Sequence, residues 1–168
     1  AHLASITETS LEDWNKQLAV HATGTFLSCR EVLKLWKADR TKGSIVNISS
    51  VSGSVGSQLA TAYSAAKAAV LGFTKALAKE VAPAGIRVNV ICPGAIDTKL
   101  FQEDTLGVMS KKLGTTSEVL LKGTLNAVPL KRLLEPEEIA ELAFYLCSDK
   151  ASGITGQSFT ISCGFDIH

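Results

Sequence analysis

Apolar positions along the chain fall into two kinds of pattern, helical stripes and short β-branched runs. Leu11, Trp14, Leu18, Ala22, Phe26, Cys29, Leu33 and Trp36 recur at steps of three and four, which predicts one long amphipathic helix over about 9–38. Thr9, with Glu12 three residues on, reads as its capping box, and the polar turn Asp39-Arg40-Thr41-Lys42-Gly43 ends it. Residues 1–8 show no period and read as an extended lead-in. The helical stripe is expected to serve core and subunit contact.

The next run, Ser44-Ile45-Val46-Asn47-Ile48, is apolar and β-branched, and reads as a buried strand feeding a Ser/Gly-rich loop at Ser50. An Ala-rich helix follows over about 62–81, stopped by Pro83-Ala84-Gly85. Residues 86–92 read as a second buried parallel strand, ended by Pro93-Gly94. Residues 99–130 are the least patterned part. Glu135-Pro136-Glu137-Glu138 then opens a last helix, whose Ile139, Leu142, Ala143, Leu146 and Cys147 read as its inner face. Ser152 to Gly156 leads into a short strand over 157–161.

Composition narrows the class without naming it. The 168 residues are one domain's worth of material, 46% hydrophobic and 20% charged, as in a soluble α/β protein. A net charge of +1 offers no footprint for nucleic acid or an anionic membrane. Cys29, Cys92, Cys147 and Cys163 are scattered, with no C-x-x-C and no His at ligand spacing, so they read as reduced thiols and not as a metal site. No apolar run approaches the ~18 residues of a membrane span, and no signal-peptide pattern opens the chain, so a cytoplasmic location is expected. The first residue is Ala1 and not Met, which points to a processed product or a piece of a longer protein.

Candidate chemistry centres on Ser50, Tyr63 and Lys67. Tyr63 and Lys67 stand four apart on the Ala-rich helix and so share one face. A free tyrosine titrates near ~10, and a nearby ammonium that stabilises the phenolate lowers that value toward neutral pH. Ser50, at the mouth of the strand, is placed to donate to a substrate oxygen that Tyr63 can protonate. The plainer alternative is a half-buried helical tyrosine with a lysine snorkelling beside it.

The surroundings of the pair resemble the short-chain dehydrogenase/reductase family. Asn47-Ile-Ser-Ser50, Tyr63-Ser-Ala-Ala-Lys67, Arg87-Val-Asn89-Val-Ile-Cys-Pro93-Gly94, Asp97-Thr98, Pro136-Glu-Glu-Ile-Ala and Ile154-Thr-Gly156-Gln157 follow one another in that family's order and spacing. The resemblance implies a Rossmann-like, doubly wound parallel sheet. It implies NAD or NADP as coenzyme and a reaction between an alcohol and a carbonyl, with Ser50, Tyr63 and Lys67 as the catalytic group. Tyr63, Lys67, Pro93, Gly94, the backbone of Ile96 and the hydroxyl of Thr98 would then lie against the coenzyme. Thr98 as a plain N-cap is the alternative. Residues 98–130 become a substrate lid with an apolar wall, and the helices at 9–38 and 62–81 a homodimer or homotetramer interface.

Two departures qualify the resemblance. His21 stands where the family carries an Asn that supports a water-linked proton relay, so it is a candidate catalytic or titrating group, or the sign of an altered site. The family's Thr-Gly-x-x-x-Gly-x-Gly loop and its Asn-Asn-Ala-Gly stretch have no counterpart in these residues. The chain is therefore expected to be the carboxyl-terminal part of the fold, a single partial domain over 1–168 with three strands and an exposed sheet edge. Three functions follow as readings: an NAD(P)-dependent oxidoreductase, a catalytically inactive truncated relative serving as an oligomerisation or interaction subunit, and, less attractive, a lyase or dehalogenase on the same fold.

Overall fold

The computed structural model describes residues 3–166. Its sheet has three parallel strands in the order β1-β2-β3: β1 (Ser44–Ile48), β2 (Arg87–Pro93) and β3 (Ser158–Ile161). Ser44 pairs with Arg87 and Ile48 with Ile91, while Val90 pairs with Ser158 and Pro93 with Ile161. Parallel neighbours need long crossovers, and here helices supply them. The α/β, Rossmann-like class that the family resemblance implies is the one observed.

Burial grades across the sheet. Val88, Asn89, Val90, Ile91 and Cys92 of β2 are fully buried, as a strand covered on both faces must be. The expectation that β1 is equally buried fails: Ile48 is 44% exposed and only Asn47 of this strand is buried. Among the described residues β1 pairs with β2 alone, so its outer edge has no neighbouring strand.

The predicted first helix is three segments in one rod. They are α1 (Leu11–Gln17), a π-turn (Leu18–Thr23) and α2 (Gly24–Asp39). Its cap is Ser10 and not Thr9. Ser10 has the extended backbone of a cap and its hydroxyl accepts from the Asp13 N–H, whereas the Thr9 hydroxyl donates to the Ser5 carbonyl. Leu11 is 74% exposed and takes no part in the core stripe. The lead-in is anchored, not merely extended: Leu3 and Ala4 are buried, and the Ala4 N–H donates to the Leu59 carbonyl. Residues 1 and 2 of that prediction lie outside the described residues.

The Ala-rich helix α4 (Thr61–Val81) lies against β2 and the π-turn, burying Ala62, Ala66, Val70, Thr74, Leu77 and Ala78. One core cluster joins Cys29, Leu77, Ala78, Ile86 and Val88 between α2, α4 and β2. A polar chain crosses the same layer. The Cys29 thiol donates to Asn47 Oδ1, and Asn47 Nδ2 donates to the Thr74 hydroxyl at 2.9 Å, so a buried amide finds partners on two helices.

On the other face, α7 (Pro136–Cys147) packs Ile139, Leu142, Ala143 and Leu146 against Ile91 of β2. Cys147, expected on that inner face, is exposed. Arg87 draws this layer together, donating to the Leu146, Ser148 and Ile154 carbonyls. The stretch expected to be unpatterned is helical: a π-turn over Leu100–Thr105 runs into α5 (Leu106–Leu113), and α6 (Ser117–Ala127) follows. Gly114 in left-handed conformation stops α5, and the Thr116 hydroxyl caps α6.

Candidate functional site

β1 and β2 deliver their carboxyl ends to one rim of the sheet, where open α/β folds hold their sites. Beyond β1, the loop predicted at Ser50 is a short helix, α3 (Val51–Val55), with Ser50 as N-cap. The Ser50 hydroxyl accepts from the Ser52 N–H at 3.1 Å, which fixes the side chain at the rim. Gly53 lets α3 lie directly on α4: a Cβ there would stand 2.8 Å from the Lys67 carbonyl carbon and 2.9 Å from Ser49 Oγ. The Ser49 hydroxyl ties the same junction by donating to the Lys67 carbonyl at 2.8 Å.

This junction brings Ser50, Tyr63 and Lys67 together. Tyr63 is half-buried, and the Ser50 hydroxyl is near enough to favour its ionised form. The Lys67 ammonium stands 5.7 Å from the Tyr63 ring centroid and donates to the Ile48 carbonyl at 3.0 Å. Burial pushes the Tyr63 phenol above its ordinary value, with the Ser50 hydroxyl acting the other way. The lowering expected from Lys67 does not appear among the influences on the phenol, which are burial and the Ser50 hydroxyl. Burial also holds the Lys67 ammonium below its usual range.

His21 lies in the π-turn and meets the same phenol. Its ring is edge-on to Tyr63, with centroids 5.1 Å apart and planes at 88°. Its backbone carbonyl accepts the Thr25 hydroxyl at 2.7 Å. Burial first, and the Lys67 charge second, hold the imidazole below its ordinary value. That contact was invisible in the helical stripe, because a regular helix would give His21 a different phase.

The loop after β2 is held at both ends. Gly94 donates to the Ile161 carbonyl, and a Cβ at Gly94 would stand 3.0 Å from Ser162 Cα. Leu134 then bridges the loop, donating to the Ala95 carbonyl and accepting from the Asp97 N–H at 2.7 Å. In such a parallel bridge the Ile96 N–H and C=O point to the side away from Leu134. Pro93 is buried at the end of β2, and the Thr98 hydroxyl accepts from the Phe101 N–H at 3.2 Å, the capping bond of the plainer alternative.

Two surface clefts, about 300 and 470 Å³, lie elsewhere, in the groove between α2 and α4 beside Leu33 and Glu80. Neither is lined by Ser50, Tyr63 or Lys67. The rim carries the chemical argument because the titratable cluster is there. Among the described residues no group of His, Cys, Asp and Glu is arranged to hold a metal ion, and no helix is long and apolar enough to cross a membrane.

Three parallel strands with helices on both faces define a Rossmann-like α/β protein. The family model described as Enoyl-(Acyl carrier protein) reductase matches residues 1–166. The chain belongs to the short-chain dehydrogenase/reductase family. It is 37% identical over 164 residues to the uncharacterized oxidoreductase YxjF of Bacillus subtilis, covering 98% of this chain and 63% of that protein. Sorbitol-6-phosphate 2-dehydrogenase SrlD from Erwinia amylovora superposes with a TM-score of 0.94 at 37% identity, covering 100% of this chain and 66% of SrlD. A variant of actinorhodin polyketide ketoreductase, solved with NADPH, gives a TM-score of 0.91 at 34% identity over 97% of this chain and 62% of its own. The chain thus spans about three fifths of the length of these relatives.

Proposed function

We propose that the protein is an NAD(P)-dependent oxidoreductase interconverting an alcohol and a ketone or aldehyde. The observation that carries this reading is the convergence of Ser50, Tyr63 and Lys67 at the carboxyl rim of β1. Tyr63 is the proton donor to the carbonyl oxygen in reduction and the acceptor in oxidation. Ser50, fixed as an N-cap beside Tyr63, holds that oxygen. Lys67 supplies the positive charge beside the phenol as it ionises.

The donor set fits a nicotinamide. The Ile96 N–H and C=O, turned away from the Leu134 bridge, match the acceptor and donor of a carboxamide, and Lys67 and the Thr98 hydroxyl add further donors. Pro93 and Gly94 hold the loop where its backbone can approach a ring. When bound, the coenzyme supplies or takes the hydride. The NADPH of the ketoreductase neighbour supports the choice of coenzyme class. The helical segment over 98–130 is the lid in this reading. The groove between α2 and α4, with Phe26 and Leu27 exposed in α2, is the contact surface for a second copy.

The test is turnover of a panel of ketones and aldehydes by the full-length protein with NADH and NADPH, alongside Tyr63→Phe. Loss of one proton-transfer group is expected to lower kcat by ~10² to 10⁴-fold. Turnover that survives Tyr63→Phe would remove Tyr63 from the chemistry. Coenzyme binding without any turnover would favour the second reading, an inactive relative kept for its helix contacts.

A further inference from the structure

One titratable side chain at the rim has no part in that chemistry. The π-turn over Leu18–Thr23 carries His21 out of regular helical phase and sets its ring edge-on to Tyr63 at 5.1 Å. Lys67 Nζ stands 5.7 Å from the centroid of the same ring. One phenol ring therefore has an ammonium and an imidazole as neighbours, and the face of an aromatic ring attracts cations. The two neighbours differ in one respect: Lys67 is already anchored on the Ile48 carbonyl, while His21 can change its charge near neutral pH.

We propose that His21 is a positioning residue that ties the Tyr63–Lys67 pair to pH, holding the phenol edge-on when neutral and opposing Lys67 at that ring when protonated. Its catalytic consequence rests on the oxidoreductase reading. Among the described residues the titratable groups that face it come from α4, Tyr63 by ring contact and Lys67 by charge, and the chain's amino-terminal charge also disfavours its protonation. On its own helix the residues one turn away on either side, Gln17 and Thr25, do not titrate. Burial and Lys67 both disfavour the imidazolium, so His21 takes up its proton at lower pH than a free imidazole does. The added charge then stands beside the same ring as Lys67, and acidification loosens the arrangement that Tyr63 depends on.

The test has a readout independent of turnover. In the full-length protein, the His21 C2–H resonance is followed through a pH titration in wild type, Lys67→Met and Lys67→Arg. Removing the charge is expected to move the His21 titration upward by about 0.5 to 1 in pKa, while Lys67→Arg keeps it near the wild-type value. An identical titration in wild type and Lys67→Met overturns the proposal. In turnover, His21→Asn is expected to erase the acid limb of the kcat profile, whereas a uniform loss at every pH marks mere packing and also overturns it. Coupled titration in a protein that turns over no carbonyl supports the cluster and removes the oxidoreductase reading instead.

Discussion

Tyr63 illustrates how one side chain's behaviour depends on its neighbours rather than on its spacing. The four-residue step to Lys67 suggested a phenol acidified by an ammonium, but burial dominates and raises its value. Ser50 and Lys67 are legible from sequence as a pair of partners, while the sign of their net effect is not, because burial is a property of the folded whole. Gln17 makes a related point. It is 8% exposed, and its Oε1 is buried without a hydrogen-bond partner among the described residues. Nothing in the helical stripe marks it as inward-facing. Gln17→Met, which keeps the shape and removes the orphan acceptor, is expected to stabilise the fold by about 1 kcal/mol, read as a higher midpoint in urea. His21 contributes in the opposite sense. Its folded value is lowered, so the unfolded chain takes up the proton first and stability declines as pH falls below 6.5.

At the scale of elements, contacts between backbones decide the site. Gly53 permits α3 to rest on α4 at Lys67, and Gly53→Ala drives a methyl into backbone atoms that have no rotamer to yield. The expected cost is ~1 to 3 kcal/mol, with kcat falling more than KM rises, since Ser50 moves relative to Tyr63. A normal melting temperature in that variant would show that the junction has slack. The start of α7 offers a pH test. Arg132 binds both oxygens of Glu138, at 2.6 and 2.8 Å, and the Glu135 N–H donates to the same carboxylate, so Glu138 is held down to about 2. Its folded value lies below its unfolded one. The contribution is therefore whole above about 4.5 and is lost as pH falls toward 2, so Glu138→Gln should lower the melting temperature at pH 7 and not at pH 2.

The helices and strands were largely readable because each has its own pattern: β2 is rich in β-branched residues from Val88 to Ile91, and α4 has small residues at helical steps. The segment over 100–127 was not, since its helices bury little. Leu100, Val108, Leu113 and Val119 are exposed, which dissolves the stripe that periodicity relies on. The cap at Ser10 was missed by one residue, where Thr9 and Ser10 both satisfy the rule.

For the molecule as a whole, the layers on the two faces of the sheet have different tasks. The α7 face is pinned by Arg87, which binds the Leu146 carbonyl in the last turn of α7, and by Asn89, which binds the Ile154 loop carbonyl. The α2–α4 face carries the grooves and the exposed Phe26, Leu27 and Leu35. If that groove joins two copies, Phe26→Glu in the full-length protein should reduce the assembly mass measured by sedimentation equilibrium while the fold, read by circular dichroism, persists. An unchanged mass assigns the contact to another surface.

The π-turn gives the first helical rod a property of counting. From Trp14 through Leu18 and Ala22 to Phe26 the apolar steps are four, four and four, a longer stride than the ~3.6 of a regular helix, and three such strides accumulate about one surplus residue. The rod is therefore written in two reading phases joined at His21. Deleting a single residue there would not shorten the rod so much as re-index it: everything from Gly24 to Asp39 would turn by roughly 100° against α1. Cys29 would swing away from Asn47, and the histidine would lose its tyrosine.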